Sequence, residues 1–594
     1  MNITERLNRL RAAMERHGID MYYIPTDDFH GSEYVGEYFR CREYISGFTG
    51  SAGSVIVTRD YAGLWTDGRY FIQAEKQLAG TGFVLNKSGC EGVPKTEEFI
   101  EKNLGNGKLG FDGRTVDISF AEKLIKKIGR EHIVPDADLM SEIWTDRPSL
   151  PLSKAFLLGR EYSGSSAAEK LGRIRGYMKE KKADVLILTA LDDICWTLDL
   201  RGGDVEYNPV ILSYLVITEN EAAFFADERK LSDEITASLA DVKILPYEDF
   251  YKYLSGISEK LTVCIDKKRT NYGVLAALPE NIHILYADSP AMLFKAVKND
   301  TEIGNMINAH IHDGAAVTKF IRKIKTAPEK YTELSAAALI RELRGTNPGY
   351  VSESFEPIIA YKEHGAIVHY EPTEQTDVPL AAEGFLLCDT GGHYLTGTTD
   401  VTRTICLGSP DSEMKKAYTA VLRGNLALGE ALFPVGCRGI NLDILARKPL
   451  WDKMLDFNHG TGHGVGYLLN VHEGPNSVRC RMTDAPDSAG CEFKEGMITS
   501  NEPGLYLEGK FGVRTENLIL CRAAGESGFG KFLRFETLTV VPYDPDAVDV
   551  SEMTPHEIGL YNSYQQRVYE TLSPLLDENE REWLKNETRP LSAD

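Results

Sequence analysis

Four acidic residues and one histidine in the last two fifths of the chain have types and surroundings suited to binding metal ions. They lie in glycine-rich or strand-like segments: CDTGGHY, TGTTDVTRT, HGTGHGVG, TSNEPGLY and GVRTENL. A donor set dominated by carboxylate oxygen suits one or two divalent ions such as Mn²⁺, Co²⁺ or Zn²⁺ better than a structural zinc site built from thiolates. It indicates hydrolytic chemistry. The candidate ligands are Asp389, Asp400, His463, Glu502 and Glu516.

The spacing of the four acids predicts two hairpins that face one another. Asp389 and Asp400 lie on apolar segments that flank a turn-rich stretch, and Glu502 and Glu516 repeat this arrangement around Pro and Gly residues. Carboxylates placed in this way can bridge two metal ions about 3.5–4 Å apart, which polarise a carbonyl and hold a water as hydroxide. A single acid is more often a solvated loop residue, because acids are rarely buried unpaired. Five matching contexts favour a site.

Three further histidines lie where a peptide hydrolase would use them: His369 in GAIVHYEP, His459 in HGTGHG and His472 in LNVHEGP. Imidazoles beside a metal centre can donate hydrogen bonds to a developing oxyanion or transfer a proton to an amine leaving group. The glycines around them let the backbone approach a ligand closely, which favours a site over a packed core. Arg514 can orient a ligand carboxylate from the strand face that carries Glu516, or form a surface ion pair instead.

In these segments the sequence resembles the Xaa-Pro aminopeptidases, also called aminopeptidase P, within the pita-bread metallopeptidases. The resemblance rests on GAIVHYEP, GTTDVTRT, HGTGHGVGYLLNVHEGP, SNEPGLY and GVRTENL. It extends through SGFTGSAGSVIVT, LWTDGRYFIQA and WTLDLRGGDVEYNPV, so it covers nearly the whole chain and indicates the long, three-domain subgroup. It implies a metal-dependent aminopeptidase that releases the first residue of peptides with proline in second position.

The resemblance also implies the cofactor and the role of each residue. Two divalent metal ions are expected, with Mn²⁺ preferred and Zn²⁺ or Co²⁺ as alternatives. Asp400 and Glu516 would bridge the ions, and Glu502 would also act as general base while a metal-activated hydroxide attacks the Xaa-Pro bond. The residues that would contact the substrate and take part in catalysis beside Glu502 are His369, His459 and His472.

Small departures from the family pattern occur next to the candidate ligands. The segment DTGGHY has Thr390 where the family often has Ser and His393 where it often has Gln. His393 is expected to affect the metal edge. Thr515 stands where an aliphatic residue is usual. Neither departure removes a ligand.

Internal repeats predict the domain plan. Residues 5–20 match 169–184, and residues 55–69 match 215–229. In each copy an amphipathic helix leads to an apolar strand and then a β pair, so helices should cover a mixed sheet. We therefore expect an α/β (α+β) protein with two related N-terminal mixed-sheet domains, followed by the C-terminal pita-bread (creatinase/aminopeptidase-like) catalytic domain that the resemblance implies. The expected domains are 1–150, 151–300, 301–543 and a helical extension, 544–594.

Composition bounds the partners and the compartment. The 594 residues carry a formal charge of −22, which disfavours nucleic acid and anionic membranes as partners. The N-terminus lacks the apolar region of a signal peptide, and no stretch approaches the roughly 18 consecutive apolar residues of a spanning helix. Ten cysteines without a CxxC motif indicate a reduced compartment. We expect a cytoplasmic homodimer that acts on peptides.

Three other functions remain open. A prolidase would use the same ligands but recognise the free carboxylate of an Xaa-Pro dipeptide, so activity on longer peptides separates the two. A methionine aminopeptidase does not need the two preceding repeats. A non-catalytic peptide-binding protein on this scaffold should have lost ligands, and all five candidates are present.

Overall fold

The computed structural model describes residues 1–482 and 490–592. The chain forms two compact units. The first comprises Met1–Leu158 and Ser165–Leu293, and the second comprises Gly159–Gly164 and Phe294–Asp594. Among the described residues, no helix combines the length and the apolar character that crossing a membrane requires.

The first unit contains two six-stranded mixed sheets with the same strand order. Each is built around a short, almost fully buried apolar strand, Met21–Pro25 in the first sheet and Val185–Leu188 in the second. This strand pairs antiparallel with a hairpin on one side and parallel with a later strand on the other. The prediction of two related mixed-sheet folds is confirmed.

The elements of the first unit follow the two repeats. In order across the first sheet, the strands are Val84–Lys87, Ala62–Thr66, Ser54–Thr58, Met21–Pro25, Leu109–Gly110 and Ile133–Val134. Across the second sheet they are Lys243–Leu245, Ala222–Ala226, Ser213–Thr218, Val185–Leu188, Thr262–Ile265 and His283–Tyr286. The helices are Ile3–Arg16, Cys41–Ser46, Phe71–Leu78, Thr96–Leu104, Ile118–Ile128, Leu139–Ile143, Ala167–Lys181, Leu191–Leu198, Asp233–Ser238, Phe250–Leu254 and Tyr272–Ala277.

The first helix of each repeat begins with the same capping chemistry. The Asn2 side chain accepts a hydrogen bond from the backbone of Glu5, whose side chain accepts one from the backbone of Asn2. Ser166 and Glu169 form the same reciprocal pair. Each pair satisfies backbone N–H groups that a helix start leaves without a partner. The repeat therefore includes the signal that starts the helix.

The second unit begins with the predicted long helix, Asp300–Thr326, which Asn299 caps together with Glu302. The other helices are Arg160–Ser163, Glu333–Gly345, Ser412–Gly429, Gly439–Trp451, Pro555–Leu572 and Glu578–Glu587, and Pro290–Ala296 precedes the long helix. The largest sheet has the order Leu432–Pro434, Gly530–Thr537, Asn517–Ser527, Ile498–Asn501, Gly462–Gly464 and Glu473–Val478. The smaller sheets contain Ile358–Tyr361, Phe385–Thr390 and Val401–Cys406; Tyr350–Glu353, Gly392–Tyr394 and Gly397–Thr398; and Gly504–Leu507 with Phe511–Arg514.

Two antiparallel strand pairs of this unit correspond to the predicted hairpins. Phe385–Thr390 pairs with Val401–Cys406, and the turn-rich connection folds back as a small hairpin of its own. Ile498–Asn501 pairs with Asn517–Ser527, and the connection again contains a short strand pair. Both hairpin predictions are confirmed.

Arg403 connects the helix Pro555–Leu572 to these strands. Its buried guanidinium donates hydrogen bonds to the carbonyls of Glu516 (2.6 Å) and Val541 (2.8 Å) and to the Tyr564 hydroxyl (2.8 Å). The helix packs into the same apolar cluster as Tyr418. The predicted apolar stripe, buried throughout, is Tyr564, Val568, Leu572 and Leu576. The C-terminal extension is thus part of the second unit's core.

His30 is buried within the first unit, between the two repeats. Its Nδ1 lies 2.8 Å from the Thr189 carbonyl oxygen, and its Nε2 lies 2.8 Å from the Tyr247 hydroxyl. Burial disfavours the charged imidazolium and lowers the pKa of His30 to about 4. The folded unit therefore holds a neutral imidazole at a pH where an exposed histidine carries a proton.

We expect the first unit to lose stability as the pH falls from about 6.5 to about 4. In this window the unfolded chain binds a proton at His30 that the folded unit excludes, which favours unfolding by on the order of 3 kcal/mol at the lower end. Denaturant midpoints at pH 7.5 and pH 5 should differ more for the wild type than for His30→Gln. His17→Gln, at an exposed histidine, is the control. Equal pH dependence in the wild type and His30→Gln would contradict the assignment.

Candidate metal centre

The two hairpins and the strand Gly462–Gly464 bring the candidate ligands together in one pocket of the second unit. Asp400, His463 and Glu516 are buried, and each offers a ligand atom within 4.8 Å of the other two. His463 Nε2 lies 3.5 Å from Asp400 Oδ2 and 3.4 Å from Glu502 Oε1. These four predicted ligands therefore surround a space small enough for a metal ion to contact several of them at once.

Asp389, the fifth candidate, interacts electrostatically with Asp400 and Glu502. Its Oδ2 accepts a hydrogen bond from Arg514 (2.5 Å), while its Oδ1 is buried and has no hydrogen-bond partner among the described residues. Burial raises the pKa of Asp389 to about 6; Arg514 opposes this shift, and Asp400 and Glu502 add to it. A buried carboxylate oxygen without a donor is a strong acceptor for a cation.

Glu516 experiences the strongest repulsion in the pocket. Burial raises its pKa well above the usual range, and the charges of Asp400, Asp389 and Glu502 raise it further. The Thr402 hydroxyl donates a hydrogen bond to Glu516 Oε2 at 2.8 Å and partly offsets this effect. Carboxylates this close cannot all be ionised unless protons or cations neutralise them.

His463 is oriented as a metal ligand. Its Nδ1 lies 2.9 Å from the Gly464 carbonyl oxygen, which assigns the proton to Nδ1 and directs Nε2 towards the carboxylates. Metal-binding histidines commonly donate their second ring N–H in this way. Burial disfavours a charged ring, yet the hydrogen bond to Asp400 and the charge of Glu502 raise the pKa of His463 to about 9. The pocket thus strongly attracts positive charge.

The donor set fits two divalent cations. Four carboxylates and one imidazole provide hard oxygen donors and a single nitrogen. Asp389 Oδ1, which has no hydrogen-bond partner among the described residues, and His463 Nε2 are both placed to act as ligand atoms for a metal ion. The sequence prediction placed all five residues in one centre, and the structure shows that they are close together.

A chain of hydrogen bonds links Asp389 to a second histidine. Arg514, which donates to Asp389, also donates to the Tyr506 hydroxyl at 2.7 Å. That hydroxyl lies 2.8 Å from His459 Nε2, and His459 Nδ1 lies 2.7 Å from the Gly460 carbonyl oxygen. Burial lowers the pKa of His459 to about 4, so the neutral ring donates from Nδ1 and accepts at Nε2. Because Arg514 is buried, the alternative of a surface ion pair is wrong.

Of the other two predicted histidines, His472 contacts a candidate ligand, and His369 follows a residue that contacts Arg514. The His472 ring packs edge-to-face on His463, with centroids 4.4 Å apart. His369 is half-buried in a turn. The preceding carbonyl, that of Val368, accepts a hydrogen bond from Arg514 at 3.3 Å.

The departures from the family pattern are accommodated without displacing a ligand. His393 is fully buried and lies 3.0 Å from the Thr398 hydroxyl within the hairpin. Thr515 is buried, and its hydroxyl has no hydrogen-bond partner among the described residues. Thr390 uses its hydroxyl to accept a hydrogen bond from Arg344.

Sequence reasoning missed several residues that support the centre. Thr402 contacts the candidate ligand Glu516, and Tyr506 contacts Arg514. Both residues lie in segments whose acids are the more obvious candidates. Glu473, directly after His472, is buried and lies 2.5 Å from Lys298. Lysines within the apolar segment AMLFKAVKND were the available signal, since a buried lysine requires a partner.

Comparison with known proteins agrees with this geometry. Residues 304–523 match metallopeptidase family M24, and residues 531–591 match the C-terminal region of peptidase M24. Residues 6–143 and 146–302 each match the creatinase/prolidase N-terminal domain. The chain thus carries two N-terminal domains of one type followed by a metallopeptidase domain.

Individual proteins similar to this chain identify the class of metallopeptidase more closely. A probable Xaa-Pro aminopeptidase P of Laccaria bicolor is 38% identical over 100% of this chain and 94% of its own length. Xaa-Pro aminopeptidase ApepP of Drosophila melanogaster is 37% identical over 99% of each chain. A crystal structure of the X-prolyl aminopeptidase of Caenorhabditis elegans, described as a cytosolic enzyme with a di-nuclear active site, is 34% identical, covers 100% of both chains and gives a TM-score of 0.94.

The chain belongs to the Xaa-Pro aminopeptidase P family. The predicted family, the pita-bread catalytic fold and the metallo-exopeptidase class are therefore confirmed. A prolidase of Pyrococcus horikoshii shares a smaller part, with 26% identity, a TM-score of 0.50 and coverage of 63% of this chain.

Tyr506→Phe tests the hydrogen-bond chain behind Asp389. The variant removes the hydroxyl that joins Arg514 to His459, so we expect kcat/KM on an Xaa-Pro peptide to fall about 10- to 100-fold while the fold is retained. Tyr361→Phe is the matched control, because its buried hydroxyl donates to the Glu383 carbonyl and takes no part in the chain. Steady-state kinetics decide the matter, and equal activity of both variants would show that the chain has no catalytic effect.

Proposed function

We propose that this protein releases the first residue of peptides with proline in second position, using two divalent ions, Mn²⁺ by preference, bound in the second unit. The observation that carries the proposal is the convergence of a buried, hard donor set with an excess of negative charge. The residues that would hold the ions are Asp389, Asp400, His463, Glu502 and Glu516, and Asp400 and Glu516 would serve both ions.

The chemistry divides between the ions and the chain. When bound, the two ions would supply Lewis acidity, which acidifies a water and polarises a carbonyl. Glu502 can hold the proton of that water. Burial acts to raise its pKa, but the charges of His463 and Arg514 outweigh burial and lower it. Glu502 is therefore ionised at neutral pH and can accept a proton and return it to the departing proline nitrogen.

We propose that the three histidines border the substrate. His369 and His472 are half-buried at the edge of the pocket, where they can donate hydrogen bonds to the scissile carbonyl or the peptide chain. His459 is held by Tyr506 and lies 3.9 Å from Glu502, so it can respond to the charge of the general base. Proline's rigid ring and missing N–H give such walls a distinct shape to select.

The arrangement of the chain and its surroundings are proposed as follows. We propose that the domains span 1–150, 151–300, 301–543 and 544–594, which agrees with family matches at 6–143, 146–302 and 304–523. We also propose a cytoplasmic location, supported by the cytosolic C. elegans relative. A homodimer is proposed from the family resemblance, and light scattering at twice the monomer mass would support it.

Peptide hydrolysis is the direct test of the function. Purified protein with Mn²⁺ should release only the first residue of Arg-Pro-Pro-type tripeptides and longer Xaa-Pro peptides, and a chelator should abolish the reaction because the metal provides the Lewis acid. Peptides with alanine in second position should be poor substrates. Activity on dipeptides alone would indicate a prolidase, and binding without hydrolysis with any metal would indicate a non-catalytic role.

Glu516→Gln should separate metal binding from folding. The amide keeps the shape but removes a buried like charge, so we expect at least 100-fold weaker activity and reduced Mn²⁺ content. In the metal-free protein the same change should raise the melting temperature, because folding no longer has to protonate a buried carboxyl group or hold its charge beside Asp400 and Asp389. Glu508→Gln, at an exposed residue, is the control. A fall in melting temperature together with full metal content would contradict the assignment of Glu516 as a ligand.

A further inference from the structure

A fully buried arginine lies behind the hairpin that carries two of the proposed ligands. Arg344 belongs to the helix Glu333–Gly345, and its side chain has 0% exposure. Its guanidinium donates to Asp313 at 2.7 Å and to Glu353 at 2.8 Å. Arg344 thus connects its own helix with the helix Asp300–Thr326, which carries Asp313, and with the strand Tyr350–Glu353, which carries Glu353.

Arg344 and Asp313 form hydrogen bonds with both sides of the hairpin. Arg344 donates to the Thr390 hydroxyl at 2.9 Å and to the Gly391 carbonyl at 3.2 Å. Asp313 accepts a hydrogen bond from the Thr399 hydroxyl at 2.9 Å. Thr390 directly follows Asp389, and Thr399 directly precedes Asp400. The backbone of each of these two ligands is therefore one peptide bond from a side chain held by the buried ion pair.

Further bonds leave the group few alternative arrangements. The Tyr394 hydroxyl donates to Asp313 at 2.8 Å, and the Gly392 backbone N–H donates to the Thr399 hydroxyl at 2.9 Å. A guanidinium can place several donors in fixed directions, which an ammonium cannot. These contacts specify the spacing between the two strands at the end where the ligands lie.

Stability alone is a weak reason for such a group. Buried ion pairs cost desolvation energy and are often no more stabilising than well-packed apolar residues of the same volume. A metal centre, by contrast, requires its ligand atoms to be placed to within about 0.2 Å.

We propose that Arg344 and Asp313 are positioning residues that set the separation of Asp389 and Asp400 and thereby the affinity for the metal pair. The inference rests on the proposed metal centre. Arg344 acts through Thr390 and Asp313 acts through Thr399, and neither contacts the metal or the substrate. Loss of the Thr390 hydroxyl should free one strand and weaken metal binding before it unfolds the protein.

The test compares two substitutions at position 390 and two on the helix Glu333–Gly345. Thr390→Val removes the hydroxyl and keeps the shape, whereas Thr390→Ser keeps the hydroxyl. Arg344→Lys keeps the charge and loses the fork, and Arg341→Lys makes the same change at a half-exposed arginine paired with Glu356. Mn²⁺ binding to each metal-free full-length protein is measured by equilibrium dialysis, and melting temperatures are measured without metal.

We expect two Mn²⁺ per wild-type chain, and about 10- to 100-fold weaker binding of at least one ion in Thr390→Val and Arg344→Lys. Thr390→Ser and Arg341→Lys should bind Mn²⁺ much as the wild type does. Wild-type affinity in both Thr390→Val and Arg344→Lys, even with lowered melting temperatures, would show a purely structural role and overturn the inference. Absence of Mn²⁺ binding by the wild type would overturn the metal centre itself, so the two failures are distinguishable.

Discussion

Mutual repulsion of carboxylates within one buried pocket is the constraint around which the second unit is built. Burial raises the pKa of Asp389 and of Glu516, the charges of Asp400 and Glu502 raise both further, and burial also removes the water that would screen these charges. Such a pocket is costly to form unless the backbone holds it open. The free energy for this comes from the burial of apolar side chains in two clusters of the second unit, to which both helices and strands contribute.

The fold holds the pocket open with backbone pairing rather than with opposing charges at every ligand. Two antiparallel strand pairs place the acids, and their registers are fixed by many main-chain hydrogen bonds. Two arginines contribute positive charge near the pocket. Arg514 donates a hydrogen bond to Asp389, and Arg344 donates one to Thr390 of the hairpin. The pocket therefore keeps a net attraction for metal ions while each ligand has a defined orientation.

Short-range patterns in the sequence predicted part of this structure. The candidate ligands and both hairpins follow from glycine and turn patterns, and the duplicated sheets follow from a repeat within the sequence. Asp313 and Arg344 were missed because their partners are distant in sequence, as with Thr390 and Thr399. A local trace does exist: Arg344 follows Ile340 by one helical turn, so it occupies a position where the pattern calls for an apolar residue.

The link from Arg403 to the helix Pro555–Leu572 affects the order of events during synthesis. Arg403 contacts the backbone of Glu516 but also the Tyr564 hydroxyl, which lies 161 residues further along the chain than Arg403. N-terminal domains generally fold first as a chain emerges. The segment around Glu516 acquires these contacts only after Tyr564 has been synthesised, so a nascent chain would hold the two sheets of the first unit well before it holds a working peptidase.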